Sequence, residues 1–545
     1  MHLSEFLFDE LYARGVRQVF GIPGDFVLNL YEALEKYQKF RLLTFSHEPA
    51  VGFAADASAR ISNGLGVCIV TYGAGGLNMV NSIACAYAEK SPVVVISGGP
   101  GAMEKRRGIL VHHEVKSYES QWKVYNEVVE YAAILDDPKT AAQQIRKALD
   151  TALKFMRPVY LEVPRDMVFA EIDDAYTTES SELSVNEGAL TEACEEIVER
   201  LIQGRNPVLI VGVEVHRFRL RDKVIALAER LQIPVTSSFL GRGVFPTTHA
   251  QFKGTYLGTV SPTPLREIVE KSDCLLLLGV LISDVSLGIP PDSIDERNSI
   301  HCVSRQIQIR HHLYQQVPLD RLVEGLLSSP RLPTKNSSFL NLRTDVSSEI
   351  SQPYQDDEPI RVRHVINELN RFLEQNPGFP LIADTGDCLF ASVDIRADIC
   401  VGPAYYATMG FAVPAALGFQ ATSGLRPLVL VGDGAFQMTG PEVAHCRRYG
   451  LNPIIVLFNN NRWEMLQAFF PDARYNETVP WPFARLAELW GGRGFEVKTP
   501  GELRQALTEA NDENGFSLLE VQLQRGDISP ILRGFVEAFK KKVYR

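Results

Sequence analysis

LVLVGDGAFQMTGPEVAHCRRYGLNPIIVLFNNNRW, residues 428–463, decides the fold. It opens on a short apolar run, Leu428–Val431, too short for a helix and rich in strand formers. Gly432-Asp433-Gly434 follows, and then a helix-like segment from about Met438 to Tyr449, which Gly450 ends. A second apolar run, Ile454–Phe458, stops at Asn459-Asn460. The pattern predicts a βαβ unit with a polar residue at the carboxyl end of each strand, where open parallel sheets bind their ligands. Gly-Asp-Gly alone is usually a turn, and Asn-Asn alone is usually a loop. Placed on successive strand ends, with 24 residues between Gly434 and Asn459, they are far more specific. Asp433 and Asn460 can then stand side by side and offer two hard oxygens. With a carbonyl just beyond Asn460 they supply half of an octahedral shell, of the kind Mg2+ completes with water and substrate phosphates.

Outward from this unit the chain repeats itself. Gly410-Phe411-Ala412, a small-residue helix, a strand and GDGA echo an earlier Gly52-Phe53-Ala54, helix, strand and GAGG. Each copy runs on to a Pro-led strand, SPVVVISGG from Ser91 and NPIIVLFNN from Asn452. Only the second copy carries the Asp and Asn pair. Residues 1 to about 170 alternate helix and strand patterns, and a third such unit begins with PVLIVGVEV at Pro207. The expected fold is therefore α/β, three doubly wound parallel-sheet domains. Polar stretches at 171–190 and 331–358 read as linkers, giving domains at 1–172, 190–330 and 359–545. YGAGGLN and GDGAFQ both fail the dinucleotide fingerprint, because Asn78 and Gln437 stand where its third glycine belongs.

The 545 residues carry a net charge of −11, which argues against nucleic-acid or membrane-surface partners. No apolar run approaches a membrane span, and the first residues lack a signal pattern. The eight cysteines show no CxxC pair and read as reduced, mostly buried thiols of a cytoplasmic protein.

Glu48, in SHEPA, follows a strand directly. A carboxyl at a partly apolar strand end can be tuned to protonate a nitrogen base. On the residues alone it reads first as a solvated glutamate at a helix start. His112-His113 lies in a connection after PGAMEKRRG and reads first as a surface pair, since no third ligand has metal-site spacing.

Taken together, Gly21-Ile22-Pro23-Gly24-Asp25, Ser46-His47-Glu48-Pro49-Ala50, Thr71-Tyr72-Gly73-Ala74-Gly75, His112-His113 and the GDG-to-NN stretch resemble the thiamine-diphosphate-dependent 2-oxo acid decarboxylases. Within that family the chain is most similar to phenylpyruvate and indolepyruvate decarboxylases. The resemblance covers nearly the whole chain. It implies a pyrimidine-binding first domain, a middle domain without cofactor and a diphosphate-binding last domain. It also implies thiamine diphosphate and Mg2+ as cofactors, the metal held by Asp433, Asn460 and the backbone carbonyl of Arg462. Glu48 would bond the pyrimidine ring nitrogen, Ala407 would accept from its amino group, and Met409 would wedge the cofactor into a bent form. Thr385, Asp387, Gly434, Ala435 and Met465 would complete the cofactor's surroundings. Asp25, His112 and His113 would relay protons at the reacting carbon. In the family, sites are shared between chains, which implies a homodimer at least and a homotetramer as the expected assembly.

One position departs from the family. Many of these decarboxylases carry a catalytic glutamate six residues after the metal-binding Asn, and here that position is Leu466. Glu464 stands two residues early and is expected to face elsewhere. The apolar replacement, with Thr71, Leu389 and Met465, makes room for an aromatic or branched side chain, covered by Phe535 and Phe539 of the last helix. On periodicity alone, Met465, Phe535 and Phe539 read equally well as core. The expected activity is non-oxidative decarboxylation of phenylpyruvate or indole-3-pyruvate to the aldehyde and CO2. Alternatives are a branched-chain 2-oxo acid or pyruvate decarboxylase, an acetolactate-synthase-like carboligase, and a thiamine-diphosphate-binding sensor subunit without catalysis.

Overall fold

The computed structural model describes residues 1–172, 184–285, 294–342 and 349–543. Residues 173–183 of the first expected linker and 343–348 of the second lie outside them. The chain forms two compact units, one of residues 1–181, 410–427 and 436–453, the other of residues 182–409, 428–435 and 454–545.

The first unit holds a sheet of six strands: β1 (Gln18–Gly21), β2 (Arg41–Thr44), β3 (Gly66–Val70), β4 (Val93–Gly99), β5 (Tyr131–Ile134) and β6 (Val159–Pro164). All pairings are parallel, in the order β2-β1-β3-β4-β6-β5. β3, β4 and β6 are buried along their whole length, as expected for apolar runs with helices on both faces. The helix Glu48–Ser62 packs against the helix Ala412–Ser423, which belongs to the same unit. A Cβ at Gly418 would stand 2.1 Å from the Ala54 carbonyl oxygen, so the two backbones meet where only glycine fits. Thr422 Oγ1 donates to Ser58 Oγ at 2.7 Å, and the rings of Phe53 and Phe411 meet edge to face at 5.5 Å. The helices that follow the two copies of the sequence repeat are thus packed on one another.

The second unit holds two sheets. The middle one comprises β7 (Pro207–Val211), β8 (Val235–Ser237), β9 (Phe252–Thr255), β10 (Cys274–Leu278), β11 (Ser299–Val303), β12 (Gln306–Ile309) and β13 (His312–Gln315), in the order β13-β12-β11-β10-β7-β8-β9. β12 and β13 are antiparallel, an addition to the parallel sheet that the sequence predicts. β12 alternates exposed and buried residues, as an antiparallel strand with one solvated face does.

The last sheet comprises β14 (Leu381–Ala383), β15 (Cys400–Val401), β16 (Leu428–Gly432), β17 (Ile454–Asn459), β18 (Arg493–Val497) and β19 (Ser517–Gln522). It is parallel throughout, in the order β15-β14-β16-β17-β19-β18. Counted from its own first strand, this is the strand order of the first sheet, so the sequence repeat is a repeat of topology. In both sheets the winding reverses beside the first strand, between β1 and β3 and between β14 and β16. Doubly wound sheets open a crevice for ligands at that point.

Candidate active site

In the second unit the crevice is real. A cavity of about 280 Å3 opens beyond the carboxyl ends of β14, β16 and β17. Thr385, Gly386 and Asp387 line it after β14, Asp433, Gly434 and Ala435 after β16, and Asn460, Arg462, Met465 and Leu466 after β17. Ala407 and Met409 close another side. Gly432 is paired with Phe458 across β16 and β17, so Asp433 and Asn460 leave neighbouring strand ends together. The helix after β16 starts at Asp433 itself, five residues before the sequence suggests.

Asp433 is nearly fully buried. Its Oδ1 accepts from Gly434 N–H and its Oδ2 from the Thr478 hydroxyl, each at 2.9 Å. Burial nonetheless pushes this carboxyl up to about 6, against those bonds and further ones from the backbone of Asn461 and Arg462. A desolvated carboxylate beside an amide oxygen is a donor set that suits a hard cation. Gly386, at φ +109°, and Gly432 both face the cavity, and a Cβ on either would meet nothing within 4 Å. Gly434 does the opposite, since a Cβ there would stand 2.2 Å from the Trp463 indole nitrogen. Ala407 sits in the left-handed region at φ 58°, a strained conformation that tends to mark ligand clamps. The residues therefore fit a metal-bound phosphate ester.

Two acidic groups secure the rim. Asp387 accepts from Ser529 N–H at 2.9 Å and from the Ser529 hydroxyl, and burial pushes it up to about 7. Glu464 is buried and lines the cavity too. Its Oε1 accepts from Gly526 N–H at 2.9 Å, and its Oε2 lies 3.8 Å from Arg462 Nε. Leu466 is 46% exposed at the cavity's edge. Leu389, Phe535 and Phe539 do not line the cavity. Leu389 and Phe535 belong to the core cluster beneath it, and Phe539 packs against that cluster. The ring of Phe535 lies tilted against Phe390 at 5.0 Å, and that of Phe539 meets Phe469 edge to face at 5.1 Å.

In the first unit the same sheet geometry gathers other chemistry. Asp25 follows β1, Glu48 follows β2 and Thr71 follows β3, and β1 lies between the other two. Glu48 is half-buried, and its Oε2 accepts from Asn78 Nδ2 at 2.8 Å. Thr71 Oγ1, beside Gly75, is buried with no hydrogen-bond partner among the described residues. Asp25, His112 and His113 are exposed, and their ligating atoms lie within 4.8 Å of one another. His112 Nε2 pairs with Asp25 Oδ2, and the ring of Phe26 lies tilted against both histidine rings at 4.8 and 6.1 Å. The third partner that the histidines lack in sequence is Asp25, 87 residues from His112.

Sequence reasoning missed Thr478 and Ser529, since a hydroxyl in a loop carries no signal of its own. Asn78 was visible only as a failed glycine.

Three family models match the chain: the N-terminal binding domain of thiamine pyrophosphate enzymes at residues 1–119, their central domain at 194–323 and their C-terminal binding domain at 389–521. The chain belongs to the thiamine pyrophosphate enzymes. It is 42% identical over 544 residues to an indole-3-pyruvate decarboxylase of Azospirillum brasilense, covering 99% of both chains. It is 28% identical over 544 residues to a pyruvate decarboxylase of Hanseniaspora uvarum, covering 96% of both. A thiamine metabolism regulatory protein of Saccharomyces cerevisiae is 25% identical over 559 residues, 97% of this chain and 90% of that one. This thiamine pyrophosphate enzyme is a carboxy-lyase that decarboxylates 2-oxo acids with thiamine diphosphate as cofactor. Among its described residues, no helix is long and apolar enough to cross a membrane.

Proposed function

We propose that the enzyme decarboxylates an aromatic 2-oxo acid, phenylpyruvate or indole-3-pyruvate, to the aldehyde and CO2. The observation that carries this reading is Leu466, which brings an apolar side chain, next to Met465, to the cofactor cavity where related enzymes often place a carboxylate. The name of the Azospirillum relative agrees with it.

The Asp433 and Asn460 side chains and the Arg462 carbonyl would hold Mg2+, and Thr385, Asp387, Gly434 and Ala435, which line the same cavity, would surround the diphosphate. Thiamine diphosphate supplies a nucleophilic carbon and an electron sink when bound. The chain supplies position and protons. Glu48 holds a proton at the pyrimidine ring nitrogen, and its bond to Asn78 orients it for that exchange. Ala407 would present its carbonyl to the pyrimidine amino group, and Met409 would wedge the bound cofactor in place. Asp25, His112 and His113 move a proton at the substrate carbon that loses CO2. Thr71, Leu389, Met465, Leu466, Phe535 and Phe539 shape the space for the substrate side chain, the phenylalanines and Leu389 from beneath.

The two copies of the topological repeat carry different halves of this chemistry, Glu48 in one and Asp433 with Asn460 in the other. A second copy of the chain completes each site, so the active form is a homodimer at least and a homotetramer as the full assembly. The three domains span 1–172, 190–330 and 359–545, with 331–358 as a linker. Eight free cysteines with no disulfide suit a cytoplasmic enzyme.

The test is a panel of 2-oxo acids assayed for aldehyde and CO2. Highest kcat/KM on an aromatic acid is the expected result, and highest kcat/KM on pyruvate or a branched-chain acid overturns the aromatic reading.

A further inference from the structure

A buried hydrogen-bonded chain runs behind His113. His113 Nδ1 lies 3.1 Å from the carbonyl oxygen of Tyr72. A carbonyl only accepts, so Nδ1 is the protonated ring nitrogen and Nε2 is left to take or release a proton. The other end of the same peptide unit is engaged as well, because Gly73 N–H donates to Gln121 Oε1 at 2.7 Å. Gln121 Nε2 donates to Ser97 Oγ at 2.8 Å and to Tyr160 Oη at 2.7 Å. Tyr160 Oη donates in turn to Glu162 Oε2 at 2.8 Å, and Ser97 Oγ to the Gly98 carbonyl at 2.9 Å.

The directions have one solution. Ser97 and Tyr160 each spend their single proton elsewhere, so both must accept from the Gln121 amide, and its oxygen must face Gly73. Gln121 is 1% exposed, and Ser97, Tyr160 and Glu162 are fully buried. A Cβ at Gly76 would stand 2.4 Å from Gln121 Oε1, so glycine clears the place of the amide.

Glu162 ends the chain, and its Oε1 is buried with no hydrogen-bond partner among the described residues. A buried carboxyl with an unused acceptor costs stability, and apolar residues would fill the same space at less cost. Its arrangement has a chemical use. Carboxylate, phenol, amide and peptide polarise one another in series, and each bond strengthens the next. The last bond in the series is the one to His113. Carboxylates orient catalytic or metal-bound imidazoles in this way at one remove.

We propose that Gln121, Tyr160 and Glu162 are positioning residues that hold His113 in its Nδ1–H tautomer through the Tyr72–Gly73 peptide. This rests on the proton-relay role given above to His113. The tautomer is read by NMR of holoenzyme carrying 13C- and 15N-labelled histidine, with His113 assigned from the signal lost in His113→Gln. The unaltered enzyme should show the Nδ1–H form at alkaline pH. Tyr160→Phe and Glu162→Gln should move His113 toward the Nε2–H form and lower kcat about tenfold, with cofactor affinity unchanged. An unaltered tautomer in these variants overturns the proposal, and so does an altered tautomer with undiminished kcat. Glu162→Gln conserves volume and decides the matter if Tyr160→Phe fails to fold. Full turnover in His113→Gln would instead overturn the relay role itself, a result that the tautomer measurement does not share.

Discussion

Thr478 donates its hydroxyl to Asp433 Oδ2 at 2.9 Å, from 45 residues further along the chain. The carboxylate that would hold the metal is therefore oriented before any ion arrives. Asp433→Ala or Asn460→Ala should abolish binding of Mg2+ and thiamine diphosphate in calorimetric titration. Thr478→Val keeps the ligands and loses only the orientation, so its affinity should fall about tenfold. Undiminished affinity in Asp433→Ala would refute the assignment.

Glu48→Gln should keep the cofactor bound and remove most turnover. Glutamine holds the hydrogen bond to its neighbours but cannot exchange the proton. The measurement is the exchange rate of the cofactor's C2 proton, followed by NMR after acid quench. It should slow by at least about a hundredfold, and an unaltered rate would remove Glu48 from its role.

Chains carrying Glu48→Gln and chains carrying Asp433→Ala should each be inactive and should complement one another when mixed. Each mixed dimer then has one site with both defects and one with neither. Activity that stays absent after subunit exchange has been verified would count against shared sites.

Phenylpyruvate should outcompete pyruvate in kcat/KM. Removing an added phenyl ring from water contributes about 1.5–3 kcal/mol, which is roughly a tenfold to a hundredfold preference. Leu466→Glu adds charge and removes apolar area at the same edge, so the preference should shrink. Competition kinetics on both forms give the answer, and a win for pyruvate in the unaltered enzyme would end the aromatic assignment while leaving the cofactor assignment intact.

Glu162 makes a stability prediction of its own. Burial pushes its carboxyl up to about 7. Between about pH 4, where an unfolded glutamate releases its proton, and about 7, the native chain binds a proton that the unfolded chain does not. Stability from this group is therefore full at the acid end of the window and is lost as the pH rises toward 7. Relative to Glu162→Gln, the unaltered protein should lose about 1.4 kcal/mol per pH unit within that window. Urea unfolding at a series of pH values measures the difference, and parallel curves for the two proteins would show that Glu162 is ionised throughout.

The strand ends were legible because they obey local rules. Leu428–Val431 and Ile454–Phe458 are unbroken apolar runs, and a buried parallel strand admits little else. The repeat was legible for the same reason, and the shared strand order of the two sheets is its physical content. β5 escaped notice because only one of its residues, Ala133, is buried, and β12 and β13 because four residues are too few for a periodic signal. Glu464 lines the cavity, and its carboxylate accepts from Gly526 N–H and lies 3.8 Å from Arg462 Nε. Gly526 lies 62 residues from Glu464, a tertiary contact that no local pattern encodes. The same holds for Gln121, whose partners Gly73, Ser97 and Tyr160 lie on a loop and on two strands.

Leu466 sits half-exposed on the short helix Glu464–Phe469, whereas Asp433 and Asn460 are fixed by the register of β16 against β17. Mutation can alter the first without disturbing the second. Were Leu466 to set the acid preference as proposed, drift at this one rim position would change which acid a lineage consumes, while purifying selection kept its hold on the cofactor.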